Sequence, residues 1–539
     1  MQVEAVQIHK ENKLLQDYRN NDPNIMQFFQ YHPYDDFKQR LSELKDRSFD
    51  RDKLSQLLND MNSKWGVPES SIANIARLKQ KESVVVVGGQ QAGILTGPMY
   101  TINKIISIIQ LAKQQEEVLD IPVIPVFWIA GEDHDFAEIN HIFVPEMPKM
   151  KKFKLFQQAL GKQSVSDIEL EKEGAESWVN QLFEQLEETS NTKDLHKTIL
   201  SCLDLAKSYV DFFARLVYKL FPNEGLVLIN SSDKALRELE GKHFDSLIKV
   251  QPEISKEVFK TSKEINHLGY SISLELDKED GHLFYHDGGE RILLVKDKEG
   301  TWSGKQNEIK LTTQELRQIA MEQPYNLSNN VVTRPIMQDL VLPTLAFIGG
   351  PGEIGYWSVL KPAFDAMQIK MPPVLPRLSF TFVERSVEKA LMKYNINVEN
   401  AVNNGVEVMK QEWLDNKQNP PIDSLSEEIR QKITEVHKPL REMAKEMRPD
   451  LGDLADKNLQ YLQDTVHFLE KRLKKAVEEK YAREIAEFDL ITMSLKPDGS
   501  FQERIWNPIF WLNNHGIKFI EVLTNENLSI KTPHYVVRL

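Results

Sequence analysis

The chain has 539 residues, 41% of them hydrophobic, a formal net charge of −13 and one cysteine, Cys202. That length accommodates two or three domains with a sizeable core, and the negative charge argues against a nucleic-acid coat. A single cysteine excludes an intramolecular disulfide framework and suits a reducing cytoplasm. The polar stretch Met1 to Lys13 does not read as a signal peptide, and no run approaches the roughly 20 apolar residues of a membrane span.

Residues 1–80 read as mostly helical and polar, with a loop near Trp65 to Pro68. Val84 to Val87 then predict a fully buried strand, broken by Gly88 and Gly89. A polar turn with Gln90, Gln91, Thr96 and Gly97 follows, and an apolar helix starts near Met99 and Tyr100. Free N–H groups in such a turn, together with the helix dipole, favour an anion such as phosphate or carboxylate. The stretch is neither the dinucleotide fingerprint nor a P-loop. Val123 to Ala130 is the next strand, completing a βαβ unit with a right-handed crossover.

That strand ends in Gly131, and four ionisable residues follow: Glu132, Asp133, His134 and Asp135. Packed carboxylates beside an imidazole perturb each other's titration, the usual setting of a general acid or base. A metal site that adds His141 is the rival reading. Adjacent residues do not easily face one ion and the spacing matches no ligand pattern, so no metal is predicted. An acidic helix N-terminus is the plain structural alternative.

The stretch from about 150 to 215 reads as charged and helical, with Cys202 in a packing position beside Ile199 and Leu203. Leu226 to Asn230 is a short strand followed by the capping cluster Ser231, Ser232 and Asp233. Tyr270 to Leu276 alternates, and Leu283 to Tyr285 and Ile292 to Val295 follow between glycine turns, predicting a small antiparallel insertion. Parallel-sheet character returns at Val331 to Thr333 and Leu345 to Ile348, with Val374 and Leu375 as a last strand.

Between them, Thr333-Arg-Pro-Ile-Met-Gln-Asp339 contributes Arg334, a carboxylate or phosphate clamp, and Asp339. The glycine turn at Gly349 and Gly350 opens a helix that carries Glu353 and Tyr356. Three strand–glycine–polar–helix junctions in one chain predict one composite pocket at strand ends.

Ser424 to Glu427 has the form of a capping box. Ile429, Ile433, Val436, Leu440, Met443 and Met447 then repeat at a mean spacing of about 3.5, the period of a coiled-coil seam. After a break at Arg448 to Gly452, the pattern resumes at Leu459, Leu462, Val466, Leu469 and Leu473. Two such helices predict an antiparallel hairpin, kinked at Pro439, whose seam pairs two subunits into a homodimer. In the segment after it, Trp506 has the shape to stack on a planar ring and Arg504 to bind a phosphate beside Asn507; a buried tryptophan anchor with a structural arginine is the alternative. The chain thus reads as α/β: a parallel-sheet core at 1–380, with insertions at about 145–225 (helical) and 265–305 (antiparallel β). A helical coiled coil at 381–495 and a segment at 496–539 returning to the core complete it.

Four motifs together resemble the bacillithiol biosynthesis cysteine-adding enzymes over essentially the whole chain. They are Gly88-Gly-Gln-Gln-Ala-Gly-Ile-Leu-Thr-Gly-Pro98, Gly131-Glu-Asp-His-Asp135, Gly349-Gly-Pro-Gly-Glu353, and Gln502-Glu-Arg504 with Asn507-Pro508. The resemblance implies a Rossmann-like core similar to class I aminoacyl-tRNA synthetases, with a dimerising coiled coil. The implied reaction joins L-cysteine to glucosaminyl-malate through an amide bond, the last step of bacillithiol synthesis.

The chain departs from class I enzymes in having no H-x-G-H turn and no K-M-S-K-S loop; Met493-Ser-Leu-Lys496 is only an echo of the latter. It also lacks the clustered cysteines of a cysteine-selecting zinc site. The expected machinery is therefore Glu132, Asp133, His134 and Asp135 as proton acceptors. Substrate contacts are expected from Gly88, Gly89, Gln90, Gln91, Thr96, Gly97, Tyr100, Arg334, Asp339, Gly350, Glu353 and Tyr356. ATP or ADP is the expected activating cosubstrate, bound either at the Gly88 turn or in a second pocket at Arg504, Trp506 and Asn507. A nucleotide-binding or partner-recruiting scaffold without chemistry is the competing reading; neither membrane nor nucleic acid is an expected partner.

Overall fold

The computed structural model describes residues 1–157, 161, 163–418 and 420–539. Its centre is a five-stranded parallel sheet built from short β-branched and apolar runs. In chain order these are β1 (Val84–Gln90), then the helix α1 (Tyr100–Leu119), β2 (Val123–Ile129) and β3 (Val227–Asn230). The long helix α2 (Lys234–His267), β4 (Thr344–Gly349), the short helix α3 (Pro351–Trp357) and β5 (Val374–Pro376) follow. The spatial order is β5-β4-β1-β2-β3. Both faces of the sheet are covered, so Val85, Val86 and Val87 are fully buried, as continuous apolar runs in parallel sheets require. The order reverses between β1 and β4, and a crevice opens there beyond the carboxyl ends of the strands.

Two insertions rise around that crevice. One is an antiparallel hairpin, His141–Glu146 with Lys149–Lys154, followed by three helices between Lys172 and Leu220. The stretch 149–154 is thus strand where helix is expected, because its residues ladder onto His141–Glu146. Cys202 is buried in the second of the three helices. The other insertion is a five-stranded sheet led by Asp280–Asp287 and Glu290–Lys296, with Leu327–Asn329 at one edge.

Two predicted strands are absent. Tyr270 to Leu276 is irregular: it leaves α2 through Gly269 (φ +81°) and runs without a strand partner past the crevice mouth. Val331 to Thr333 is a turn into the helix Thr333–Val341, because the Asn330 side chain accepts from the N–H groups of Val332 and Thr333.

Beyond the core, Phe380–Val383 and Gln2–Val6 flank His534–Arg538 in a three-stranded sheet, so the chain after residue 496 does return to the body. The helices α4 (Ile422–Met447) and α5 (Pro449–Lys480) form the antiparallel hairpin, turning at Arg448 alone. The expected capping box is not formed: α4 starts two residues earlier and Ser424 Oγ donates to the Pro421 carbonyl. The predicted seam also faces differently. Leu459 is buried and Ile433 and Val466 are half-buried, and polar pairs complete the contact, with Arg430–Glu470 at 2.6 Å and Lys445–Asp456 at 2.8 Å. Val436, Leu440, Met443, Met447, Leu462, Leu469 and Leu473 instead remain exposed, Val436 to 82%.

Candidate functional site

The crevice has two lobes that share Ala130, Asp133 and Arg334. The smaller, about 420 Å³, lies at the switch point itself, between the ends of β1 and β4. The turn after β1 supplies Gly89, Gln90 and Gln91, α1 supplies Tyr100 and Lys104, and α3 supplies Glu353 and Tyr356. Lys104 Nζ is fully buried and donates to Gly89 O (2.6 Å), Gln90 Oε1 (3.0 Å) and the Glu353 carboxylate. Burial pushes the Lys104 ammonium down, against the opposing pull of Glu353. Glu353 also accepts from Gly350 N at 2.7 Å, the reciprocal cap of α3.

Four cations line this lobe, Lys104, Arg334, Arg377 and Arg504, against three carboxylates, Asp133, Glu138 and Glu353. Arg334 donates to Tyr356 Oη (2.7 Å) and Gln338 Oε1 (3.3 Å), and among the described residues no carboxylate lies within 4 Å of it. Arg377 grips Glu503 with two bonds of 2.6 and 2.7 Å, which leaves it pointed at the lobe. Arg504 lines the mouth and is exposed. Trp128 Nε1 is buried and unpartnered in the lobe wall. Burial pushes the Tyr356 hydroxyl up to about 12, so at neutral pH it is a donor and not a charge.

The larger lobe, about 650 Å³, lies under the antiparallel insertion. Glu132 forms a buried ion pair with Arg237, which also bonds Glu240 at 3.0 Å. Burial pushes the Glu240 carboxyl up to about 7 despite Arg237. Asp133 accepts from Gln91 Nε2 (2.6 Å) and from the backbone N–H of His134 (2.8 Å). Arg291 lies over Phe284, its Cζ 3.7 Å from the ring centre, with Nη1 3.4 Å from His134 Nδ1 and 4.0 Å from Asp133 Oδ1.

Of the residues expected from the sequence, twelve meet here: Glu132, Asp133, His134, Gly89, Gln90, Gln91, Tyr100, Arg334, Gly350, Glu353, Tyr356 and Arg504. The others lie elsewhere. Gly88 is inside β1, packed against the Ile348 carbonyl. Thr96 and Gly97 are buried, and Asn507 Nδ2 ties the carbonyls of Leu95 (3.0 Å) and Gly97 (2.7 Å). Asn507 is therefore a strut beneath the turn and not a ligand contact. Asp339 is fully buried outside the crevice between Arg40 and Arg47, 2.5 Å from each. Asp135 is exposed at the start of a four-residue helix. Trp506 donates to Met493 O (3.0 Å) and packs on Phe510 and Trp511 beside a separate cavity of about 220 Å³. The expected second pocket thus does not form as one site: Arg504 joins the crevice, while Trp506 and Asn507 are structural anchors.

Lys104, Arg377, Arg291, Trp128 and Glu503 belong to the crevice and its support but escape a motif reading. Lys104 leaves a signal, a lone cation in the apolar first turns of α1; Arg377 follows a strand end directly. Arg291 depends on strand pairing that no local pattern reveals. Among the described residues, no group of three His, Cys, Asp or Glu side chains is arranged to hold a metal ion, and no helix is long and apolar enough to cross a membrane.

Comparison with known families adds to this geometry. A family model described as bacillithiol biosynthesis BshC, N-terminal Rossmann-like domain, matches residues 1–378. A second, described as the BshC C-terminal coiled-coil domain, matches residues 380–539. A protein of Oceanobacillus iheyensis named "Putative cysteine ligase BshC" is 44% identical over the full length of both chains. Proteins of the same name from a Geobacillus species and from Bacillus licheniformis are each 40% identical, again over the full length of both chains.

Proposed function

The chain belongs to the bacillithiol biosynthesis BshC family, and from that premise we propose that it is a cysteine ligase joining L-cysteine to glucosaminyl-malate through an amide bond, the last step of bacillithiol synthesis. The observation that carries the reading is the two-lobed crevice at the sheet's switch point, one lobe with an excess of cations and the other with a carboxylate–imidazole pair at its entrance.

An amide does not form from a free carboxylate in water, so one acyl group must first gain a leaving group. ATP is the proposed cosubstrate: it gives the carboxylate an AMP group with release of pyrophosphate, or a phosphate group with release of ADP, and AMP or phosphate then leaves as the amine attacks. Arg334 and Arg504, with Lys104 and the Gly89 to Gln91 turn behind them, suit the phosphate and malate anions. Asp133, held by Gln91, and His134 are the proposed acceptors of the amine proton during attack on the activated carbonyl. Glu132 is committed to Arg237 and serves to position the turn.

The exposed apolar row on α4 and α5 supports a homodimer through the hairpin, since a contiguous apolar patch of this kind marks an interface. Sedimentation as a monomer at micromolar concentration rejects it.

The test of the function is metabolite profiling of a strain lacking the gene, complemented with the parent chain, Asp133→Ala or His134→Ala. The ligase reading expects glucosaminyl-malate to accumulate and bacillithiol to vanish in the deletion and in the variants at normal protein abundance. An unchanged thiol pool in the deletion rejects it in favour of a scaffold.

A further inference from the structure

The larger lobe contains an unusual pair. Arg291, its side chain 7% exposed, and Asp133 stand 4.0 Å apart, farther than the 2.7–2.9 Å of a hydrogen-bonded ion pair. Neither is idle. Asp133 is fixed by Gln91 and by the His134 N–H. Arg291 donates from Nε to Ser328 Oγ (3.1 Å), from Nη2 to Asn329 O (2.7 Å), and its Nη1 meets His134 Nδ1. These contacts use three of the five guanidinium N–H groups. Two N–H groups remain, and Arg291 and Asp133 line the same lobe.

Three further features describe what would fill that space. The amide of Asn329, 2% exposed, lines the lobe and its Oδ1 has no partner, a buried polar atom that a ligand donor would satisfy. Phe284 and Leu293 give an apolar wall. Glu275 and Asp277 at the rim repel a polyanion, so phosphate is better suited to the other lobe.

We propose that the lobe over this pair is the amino-acid subsite: a zwitterionic α-amino acid lies across it, its carboxylate on Arg291, its ammonium on Asp133 and Asn329 Oδ1, and its side chain on Phe284 and Leu293. The identification of that amino acid as L-cysteine rests on the ligase reading above. The subsite uses the thiol's apolar character and small size in place of a zinc ion.

Saturation-transfer NMR on the full chain in reducing buffer tests this, with four probes: L-cysteine, cysteamine (no carboxylate), 3-mercaptopropionate (no ammonium) and glucosaminyl-malate. On the parent chain, cysteamine and 3-mercaptopropionate are each expected to bind at least about tenfold more weakly than L-cysteine, the loss of one charge-assisted contact. Arg291→Gln should erase the advantage over cysteamine with glucosaminyl-malate binding unchanged, and Asp133→Asn should erase the advantage over 3-mercaptopropionate. Arg291→Lys, which keeps the charge, should retain part of the preference. Equal binding of L-cysteine and cysteamine to the parent chain overturns the proposal whether or not any variant folds. So does loss of glucosaminyl-malate binding in place of cysteine binding, or no L-cysteine signal at millimolar concentration. The deletion-strain profile judges the ligase reading separately, so failure here with accumulation there discards only the subsite.

Discussion

Gly88→Ala probes the seam on which the crevice depends. A methyl group built at Gly88 would lie 2.7 Å from the Ile348 carbonyl oxygen and 3.1 Å from Ile108 Cδ1. The isoleucine tip can rotate away, but the carbonyl is held in β4. β1 and β4 must then part by 0.3 Å to reach the 3.0 Å floor and by 0.7 Å to reach ordinary contact at 3.4 Å. Over-packing of this kind costs about 1–3 kcal/mol, and an immobile backbone neighbour puts it near the upper end. For a cooperative unit of the 378 residues matched by the Rossmann-like family model, an unfolding entropy of about 2.1 cal/mol/K per residue makes each degree worth about 0.8 kcal/mol. Thermal denaturation should therefore shift down by about 4 °C. Gly89→Ala, at 2.5 Å from the Trp128 carbonyl, should shift it further. Gly352→Ala is the control: nothing lies within 4 Å, and alanine in a helix gains about 0.5–1 kcal/mol over glycine. If Gly88→Ala melts within about a degree of the parent, the strand spacing at the switch point is not the tight contact argued here.

Asp339→Ala removes the carboxylate shared by the buried Arg40 and by Arg47, leaving Arg40 with Glu43 at 3.3 Å, and should lower the urea midpoint by the equivalent of about 3 kcal/mol with an unchanged slope; an unmoved midpoint contradicts the buried pairing. Acid should destabilise the protein early. Burial lowers His282, His286 and His534 from 6.5 to about 4, so between those values the unfolded chain binds more protons and stability falls as pH drops from about 6.5 to about 4. His534→Gln should flatten that slope in denaturant titrations at stepped pH, and an identical slope refutes the assignment. Leu440→Asp with Leu469→Asp should convert a dimer to a monomer in sedimentation without moving the melting temperature of the core, since both side chains are exposed within one chain.

The parallel sheet was legible because Val84 to Val87 and Leu345 to Ile348 are buried on both faces, and continuous apolar runs of that length admit few other readings. Tyr270 to Leu276 misled because alternation is necessary for a half-buried strand but pairing is what makes one, and no neighbour is available. The hairpin's period was visible while its direction was not: heptads report that an apolar stripe exists, not whether the partner helix or another molecule covers it. In the crevice, glycine turns flagged the strand ends. The charges that give each lobe its sign came from far along the chain. Arg377 and Glu503 are 126 residues apart, and Arg291 and His134 are 157 apart, distances at which local pattern carries no information. Asp339 looked like a ligand contact because an acid near an arginine clamp has two readings, and only burial against Arg40 and Arg47 separates them.

The three-stranded sheet at the domain junction has a consequence for how the chain is made. Its middle strand is His534–Arg538, with Gln2–Val6 on one side and Phe380–Val383 on the other. Both flanking strands are thus translated before the strand that joins them, Gln2–Val6 at the start of the chain and Phe380–Val383 well past its middle. A nascent chain halted after residue 383 and before residue 534 carries both edges with nothing between them, their N–H and C=O groups open to another polypeptide. A chain without His534–Arg538 would leave both edges unpaired, and the arrival of that strand between them pairs them both.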